Sequence, residues 1–462
     1  MSKPIRFNAF QMFSVSHQSP GLWTHPRDAG HRYNDPEYWI QLAQLLEEGR
    51  FDAVFLADVL GVYDVYQGTA DAALRHGVQV PLNDPLALVP LMAMATTHLG
   101  FGVTCALTYE HPYSFARHMS TLDHLTQGRI GWNIVTGYLD SAARNLGLDR
   151  QLGHDERYDL ADEYLDVVYK LWEKSWDDDA VVNDKISGVY ADPAKVHPIK
   201  HEGHYYKVPG FHLCEPSPQR TPLLYQAGTS PRGTRFAARH AECTFVSGPS
   251  KKVVKRYVDD LRAAVDADGR DGSQLKIYAQ ALIVTAATEA AAREKYEDYR
   301  RHIDIEAALV LLSGWTGVDF SRYPLDATID YIDSDAGRSA LASFSQADPD
   351  RQWTVREAAE FIGLGGRGPV LVGDARQVAD QLEALQDETG IDGFNLAFAL
   401  GHESMRDVVT LIVPELQARG RYRTDYADGT LRHQLFGHGP RLPADHAGRQ
   451  VSIAPPPPQS VT

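Results

Sequence analysis

Short apolar runs alternate along this chain with longer stretches whose apolar positions recur every three or four residues. The short runs predict strands at 5–10, 53–56, 99–103, 130–135, 222–226, 243–247, 277–284 and 393–397. The periodic stretches predict helices at 37–48, 158–173, 252–266 and 375–388. Such alternation marks βαβ units. Eight strands of this kind predict an α/β chain folded as a closed (β/α)8 TIM barrel rather than an open sheet. Residues 121–137 show the unit in miniature. Leu122 and Leu125 lie three apart on a helix, Gly128 is placed to end it in the left-handed conformation, and Ile130 to Val135 follow as a buried strand.

Two intervals are too long to be simple connections, about 176–221 and 300–368. The first contains Gly203-His-Tyr-Tyr-Lys-Val-Pro-Gly210, which reads as a hairpin insertion. The second mixes helix with Gly- and Asp-rich loop and could cover the barrel mouth as a lid. Residues 1–435 read as one barrel domain, and 436–462, with Pro455 to Pro458, as a disordered tail.

Composition narrows the partners. The chain has 462 residues, 43% hydrophobic and 10% aromatic, enough for a sizeable core. With 45 basic and 61 acidic residues its net charge is −16, and no basic stretch offsets it, which argues against nucleic acid and anionic membranes as partners. Cys105, Cys214 and Cys243 lie far apart without a CxxC spacing and suit buried thiols in a reducing compartment. No signal-peptide core opens the chain and no apolar run reaches the length of a membrane helix, so a soluble, cytoplasmic protein is expected.

In a parallel barrel, ligands sit at the carboxyl ends of the strands, and several polar residues fall there. Asp58 ends the second strand, where its carboxylate meets a ligand or caps the next turn. Thr104 and Thr108 follow the third, as hydroxyl donors or as ordinary strand residues. Asn133, with both donor and acceptor, suits the edge of a heterocycle; the alternative is a satisfied turn residue. Gly228-Thr-Ser-Pro-Arg-Gly233 follows a strand and precedes a helix, so Thr229, Ser230 and the backbone are placed to hold an anion. His154 and Tyr158 flank a second helix start, with Asp155 its expected N-cap, and could hold the same anion. His17, in the first loop past the first strand, either faces substrate or is a hydrogen-bonded loop histidine.

Two patterns carry less. Gly363-Leu-Gly-Gly-Arg-Gly368 matches GxGxxG but follows a helix and precedes a strand, the reverse of a dinucleotide fingerprint, and reads as chance or loop flexibility. His197, His201 and His204 lack a helical frame and an obvious fourth ligand, so no metal is expected.

The run Leu122-Asp-His-Leu-Thr-Gln-Gly-Arg129 also resembles the hallmark of the bacterial-luciferase-like flavin monooxygenases. The likeness extends from about residue 4 to 435. It includes Asn8-Ala-Phe10, Val15-Ser-His-Gln-Ser19, Ala57-Asp-Val-Leu-Gly-Val-Tyr-Asp-Val-Tyr66, Val208-Pro-Gly-Phe-His212 and Gly314-Trp-Thr-Gly-Val-Asp-Phe320. These runs are similar to the branch whose members oxidise nitrilotriacetate, dibenzothiophene sulfone and dimethyl sulfide. The resemblance implies reduced FMN as co-substrate, supplied by a separate NADH-dependent reductase, with oxygen as oxidant and a homodimer or homotetramer as the assembly. Carried over by position, it puts Asp58, Thr104 and Asn133 around the isoalloxazine, and His154, Tyr158, Thr229 and Ser230 on the phosphate. Phe10, Met12, Phe245 and Trp315 are then candidates for a dry substrate wall, each also readable as ordinary core, and His17 is the candidate catalytic residue. A small apolar substrate follows, with dimethyl sulfide oxidised to methanethiol and formaldehyde as the leading reaction. The alternatives are an aromatic sulfone or amine, a deazaflavin-dependent oxidoreductase on the same barrel, and a barrel that binds flavin without catalysis.

Overall fold

A computed structural model describes residues 3–329, 341–342, 344–345 and 351–453. Nine parallel strands make the central sheet: β1 (Arg6–Met12), β2 (Ala53–Ala57), β3 (Gly100–Ala106), β4 (Ile130–Val135), β5 (Leu223–Gln226), β6 (Cys243–Val246), β7 (Lys276–Thr285), β8 (Val370–Gly373) and β9 (Gly393–Ala397). Eight of them pair in the ring β1-β2-β3-β4-β5-β6-β7-β9 and back to β1, so the sheet closes into the expected (β/α)8 barrel. All eight are the strands expected from the sequence, with ends displaced by three residues at most.

The ninth strand depends on the length of β7. Lys276 to Ala279 pair with β6, Tyr278 to Leu282 pair with β9 on the other edge, and Leu282 to Thr285 pair with β8. β8 therefore continues the edge that β6 leaves, and ties the end of the second insertion to the barrel mouth.

The main helices are α1 (Pro36–Glu48), α2 (Pro112–Leu125), α3 (His154–Tyr169), α4 (Pro231–His240), α5 (Lys251–Ala267), α6 (Ile305–Thr316), α7 (Val355–Ile362) and α8 (Ala375–Thr389). Gly128 has φ +83° after α2, as its position implied. Leu122 packs inward, whereas Leu125, on the last turn, is 57% exposed. α3 begins four residues before its apolar periodicity does. Its N-cap is Gly153, and Asp155, expected in that role, instead meets His154 Nδ1 at 2.7 Å.

The barrel interior is aromatic: Phe55, Tyr225, Phe245 and Tyr278 cluster there, with the Tyr225 and Phe245 rings stacked at 5.4 Å. Leu431 and Leu435 close this cluster from the amino-terminal ends of the strands. Between them Arg432 is fully buried. Its Nε and Nη2 donate to the Glu242 carboxylate at 2.6 and 2.9 Å, and Nη2 also donates to the Thr221 and Pro222 carbonyls, both at 3.0 Å. The floor is thus sealed, and the carboxyl ends of the strands are left as the open side.

The first insertion holds two antiparallel hairpins, Val181–Asp184 with Val189–Ala191, and His201–Glu202 with Lys207–Val208. The second contributes α6 and α7 above the mouth, and its residues 330–340, 343 and 346–350 lie outside the described residues. Of the segment from 436, Leu442 is buried and His446 Nε2 lies 3.0 Å from the His240 carbonyl; residues 454–462 lie outside the described residues. Among the described residues no helix is long and apolar enough to cross a membrane.

Breaking a buried pair strands the remaining charge, at a cost of about 3–5 kcal/mol. Arg432→Met is therefore expected to lower unfolding stability by about that amount, and adding Glu242→Gln to recover part of it. Denaturant titration checks this; a loss confined within ~0.5 kcal/mol would show that the floor does not rest on this pair.

Candidate active site

Two adjoining cavities open at the carboxyl ends of the strands, of about 300 and about 270 Å³. Asp58, Val59, Val135, Tyr138 and the Ala227–Thr229 turn line both, so they form two compartments with a common wall. The structure brings the candidate residues into this space, Thr108 excepted. Phe10, Met12, His17, Thr104, Asn133, Phe245 and Trp315 line the first compartment, and His154, Tyr158 and Ser230 line the second.

The second compartment is built from two helix starts. Ser230 is the N-cap of α4, accepting from Gly233 N at 3.1 Å, and its Oγ lies 3.3 Å from Nε2 of His154, the first residue of α3. Both helix dipoles therefore present positive ends to one spot. Gly228 keeps that spot open: a Cβ there would lie 2.5 Å from Gln226 Nε2 and 3.0 Å from the Tyr158 hydroxyl. Arg232, by contrast, turns away to Asp159 and Asp162, at 2.9 and 2.7 Å. Buried Arg157 joins the lining, a cation that no sequence signal separates from the other polar residues of its turn.

Asn133 and Thr104 are register partners on β4 and β3. Asn133 Nδ2 donates to Thr104 Oγ1 at 2.9 Å, while Asn133 Oδ1 is buried without a partner. Gln226 Oε1, at the end of β5, is likewise buried and unpartnered. Thr108 is spent otherwise, donating to the Thr136 carbonyl at 2.5 Å. Two unpaired acceptors beside an open space call for a ligand with N–H groups. Donors for a phosphate around Ser230, with free acceptors for a heterocycle at Gln226 and, in the adjoining compartment, at Asn133, fit a flavin mononucleotide.

Asp58 sits on the common wall. Burial, reinforced by the charge of Asp84 and opposed by a hydrogen bond from the Val59 backbone, pushes its carboxyl up to about 7. His17 lines the first compartment from the loop after β1. Burial pushes it down to about 3, so it is a neutral imidazole, packed edge-on to Phe10 at 4.3 Å. A buried chain of amides continues from it. Gln18 Nε2 meets His17 Nε2 at 3.0 Å, Gln280 Nε2 donates to Gln18 Oε1 at 3.0 Å, and Ser247 donates to Gln280 Oε1 at 2.9 Å. Tyr63 donates to Gln79 Oε1 at 3.0 Å and meets the Tyr138 hydroxyl at 2.9 Å. Of the residues in this amide chain and the tyrosine pair, only His17 stands out in the sequence; lone glutamines and tyrosines carry no periodic signal.

The family model described as luciferase-like monooxygenase matches residues 9–393. The chain belongs to the luciferase-like monooxygenases. As a member it is a flavin-dependent monooxygenase. It is 50% identical to the dimethyl-sulfide monooxygenase of Hyphomicrobium sulfonivorans, over 98% of this chain and 95% of that one. It is 49% identical to the long-chain alkane monooxygenase of Geobacillus thermodenitrificans (strain NG80-2), over 98% and 99%. Among solved structures, a riboflavin lyase with modified FMN and its substrate riboflavin superposes with a TM-score of 0.90 at 36% identity, covering 96% of this chain and 99% of that one.

The Asp58 shift has a sign that can be tested. Its folded value lies above the ordinary 3.8, so between these values the native state holds a proton that the unfolded chain releases. Asp58 therefore makes unfolding stability fall as pH rises from about 4 to about 7. Asp58→Asn is expected to flatten that slope, measured by denaturant unfolding across this range. An unchanged slope would place the Asp58 carboxyl at its ordinary value.

Proposed function

We propose that this luciferase-like monooxygenase uses reduced FMN, delivered by a separate NADH-dependent reductase, to oxidise a small organosulfur compound. The observation that supports this most is the pairing of compartments: anion donors around Ser230 in one, and the free acceptor of Asn133 beside an apolar wall in the other, with Asp58 between. Thr229, Ser230, Tyr158 and His154 would hold the phosphate, and Thr104 and Asn133 the edge of the ring. When bound, reduced FMN supplies the two electrons that split oxygen. Phe10, Met12, Phe245 and Trp315 keep water from the reacting centre, and neutral His17 offers a hydrogen bond without bringing a charge.

With dimethyl sulfide, one oxygen atom enters a C–H bond of the substrate and the other leaves as water. The hydroxymethyl sulfide then breaks its C–S bond, giving methanethiol and formaldehyde. A compartment of about 300 Å³, shared with a flavin ring, favours such a small substrate over a long alkane.

Two experiments test the reading. Losing one hydrogen bond to a charged group costs about 1.5–3 kcal/mol, or roughly tenfold or more in affinity. Ser230→Ala and Tyr158→Phe are accordingly expected to weaken FMN binding about tenfold while leaving riboflavin binding unchanged. Equal losses for both ligands would remove these side chains from the phosphate. In the second, the protein, FMN, NADH, oxygen, a competent flavin reductase and catalase are sealed with dimethyl sulfide. Methanethiol that requires both this chain and FMN is expected in the headspace. If FMN binds and no product forms from any sulfide, the organosulfur assignment fails.

A further inference from the structure

The loop Gly363–Gly368, unconvincing as a nucleotide motif, delivers a cation to the substrate compartment. It joins α7 to β8, and its place is fixed by the barrel wall. Gly365 N donates to Ser19 Oγ at 3.0 Å, and the Gly365 carbonyl accepts from Gln280 Nε2 at 2.8 Å. Gly366 has φ +72°, and a Cβ there would lie 2.0 Å from Gln18 Oε1, so only glycine lets the loop approach this closely. The next residue is Arg367, which lines the first compartment with Trp315, Tyr63 and Tyr138.

The guanidinium of Arg367 lies over the Trp315 ring, 5.5 Å from its centroid. That contact orients the cation but does not neutralise it. Among the described residues no carboxylate lies within ion-pair distance of Arg367, and no side chain or carbonyl accepts a hydrogen bond from it. The acidic side chain of the same compartment, Asp58, makes no ion pair with it. Burial lowers the affinity of Arg367 for its proton, opposed by Tyr257, Tyr138 and Tyr63, yet an arginine keeps its charge under any ordinary condition. A neutral sulfide entering here would displace water from the guanidinium and leave it with an aromatic face alone. A carboxylate or sulfonate would replace that water with two parallel charge-assisted hydrogen bonds.

We infer that Arg367, held over Trp315 by the Gly363–Gly368 loop, is an anion-recognition residue, and that the compartment prefers a thioether with a carboxylate or sulfonate arm. This rests on the monooxygenase reading and narrows its substrate class. The apolar residues Phe10, Met12 and Phe245 then receive the S-alkyl end, with the anionic end turned to the loop.

Isothermal titration of the full chain, with and without FMN, using (methylthio)acetate and its neutral amide, tests this without turnover. The carboxylate is expected to bind at least tenfold more tightly than the amide. Arg367→Gln is expected to abolish the difference, and Arg367→Lys, which keeps the charge but not the fork, to retain part of it. Unchanged FMN affinity and circular dichroism show that the variants are folded. Equal affinities for the two ligands, no carboxylate binding at millimolar concentration, or a difference that survives Arg367→Gln would each overturn the inference. A charge-dependent affinity that vanishes in Arg367→Gln, in a protein that oxidises no thioether with reduced FMN, would instead overturn the functional reading and leave the anion site standing.

Discussion

The pairing of β7 constrains everything above the barrel. A strand of ten residues is longer than one barrel neighbour needs. Its first residues close the ring through β6, and its last ones take up β8 on the same edge. Gln280 lies in the gap between those two partners, where the edge of the strand has no neighbour of its own. Its amide fills the gap, reaching Ser247 at the end of β6, Gln18 in the first loop and Gly365 in the loop before β8. One side chain thereby couples three connections that the strand order alone would leave independent, and the position of the glycine loop follows from it.

The two ends of the barrel treat buried polarity in opposite ways. At the floor, charged groups are fully engaged: Arg432 with Glu242 and three carbonyls, and Asp52 with Arg6 at 3.1 Å, with the Tyr278 hydroxyl at 3.1 Å and with Arg423. At the mouth, Asn133, Gln226 and Asn395 each keep an oxygen buried without a partner. Leaving such an acceptor unmet costs about 1–3 kcal/mol, a cost that a bound ligand removes. The floor's charges are met by protein groups, whereas these oxygens at the mouth are placed where a ligand can meet them.

Much of this was legible in the sequence, for a reason specific to parallel barrels. Strand runs such as 130–135 are bounded by turns and buried on both faces, so their ends can be read, and the polar residue at a carboxyl end must point to the mouth. Asp58, Thr104 and Asn133 follow from that rule, and Thr229 and Ser230 from helix-start chemistry. The start of α3 was not legible, since its first turn is polar and has no apolar periodicity. Nor was Arg367. Its loop lies between a helix and a strand, as expected, but a composition rich in glycine does not distinguish a flexible loop from one pressed against a wall. The contact that decides it, Gly366 against Gln18, spans nearly 350 positions of sequence. Phe10, Met12, Phe245 and Trp315 were read as wall or core with equal right, and they face the cavity as the edge of the core, which is both.

The seam between the compartments gathers the opposing demands of such a site. A phosphate end needs donors and tolerates water, whereas the reacting end must be dry. Asp58 stands between them, its carboxyl pushed up to about 7 by burial and by the charge of Asp84. Above that pH the seam carries a negative charge; below it, a hydrogen-bond donor. An anionic ring brought to the seam would favour the protonated form further, and the donor would then be present when a negatively charged cofactor is bound. His17, in the lining of the first compartment, completes the logic, since burial keeps it neutral over the same range. Apart from Asp58 itself, the described residues of the reacting end thus hold polar atoms without proton-labile charge, and the one fixed cation among them, Arg367, is set apart on a loop whose place the barrel itself dictates.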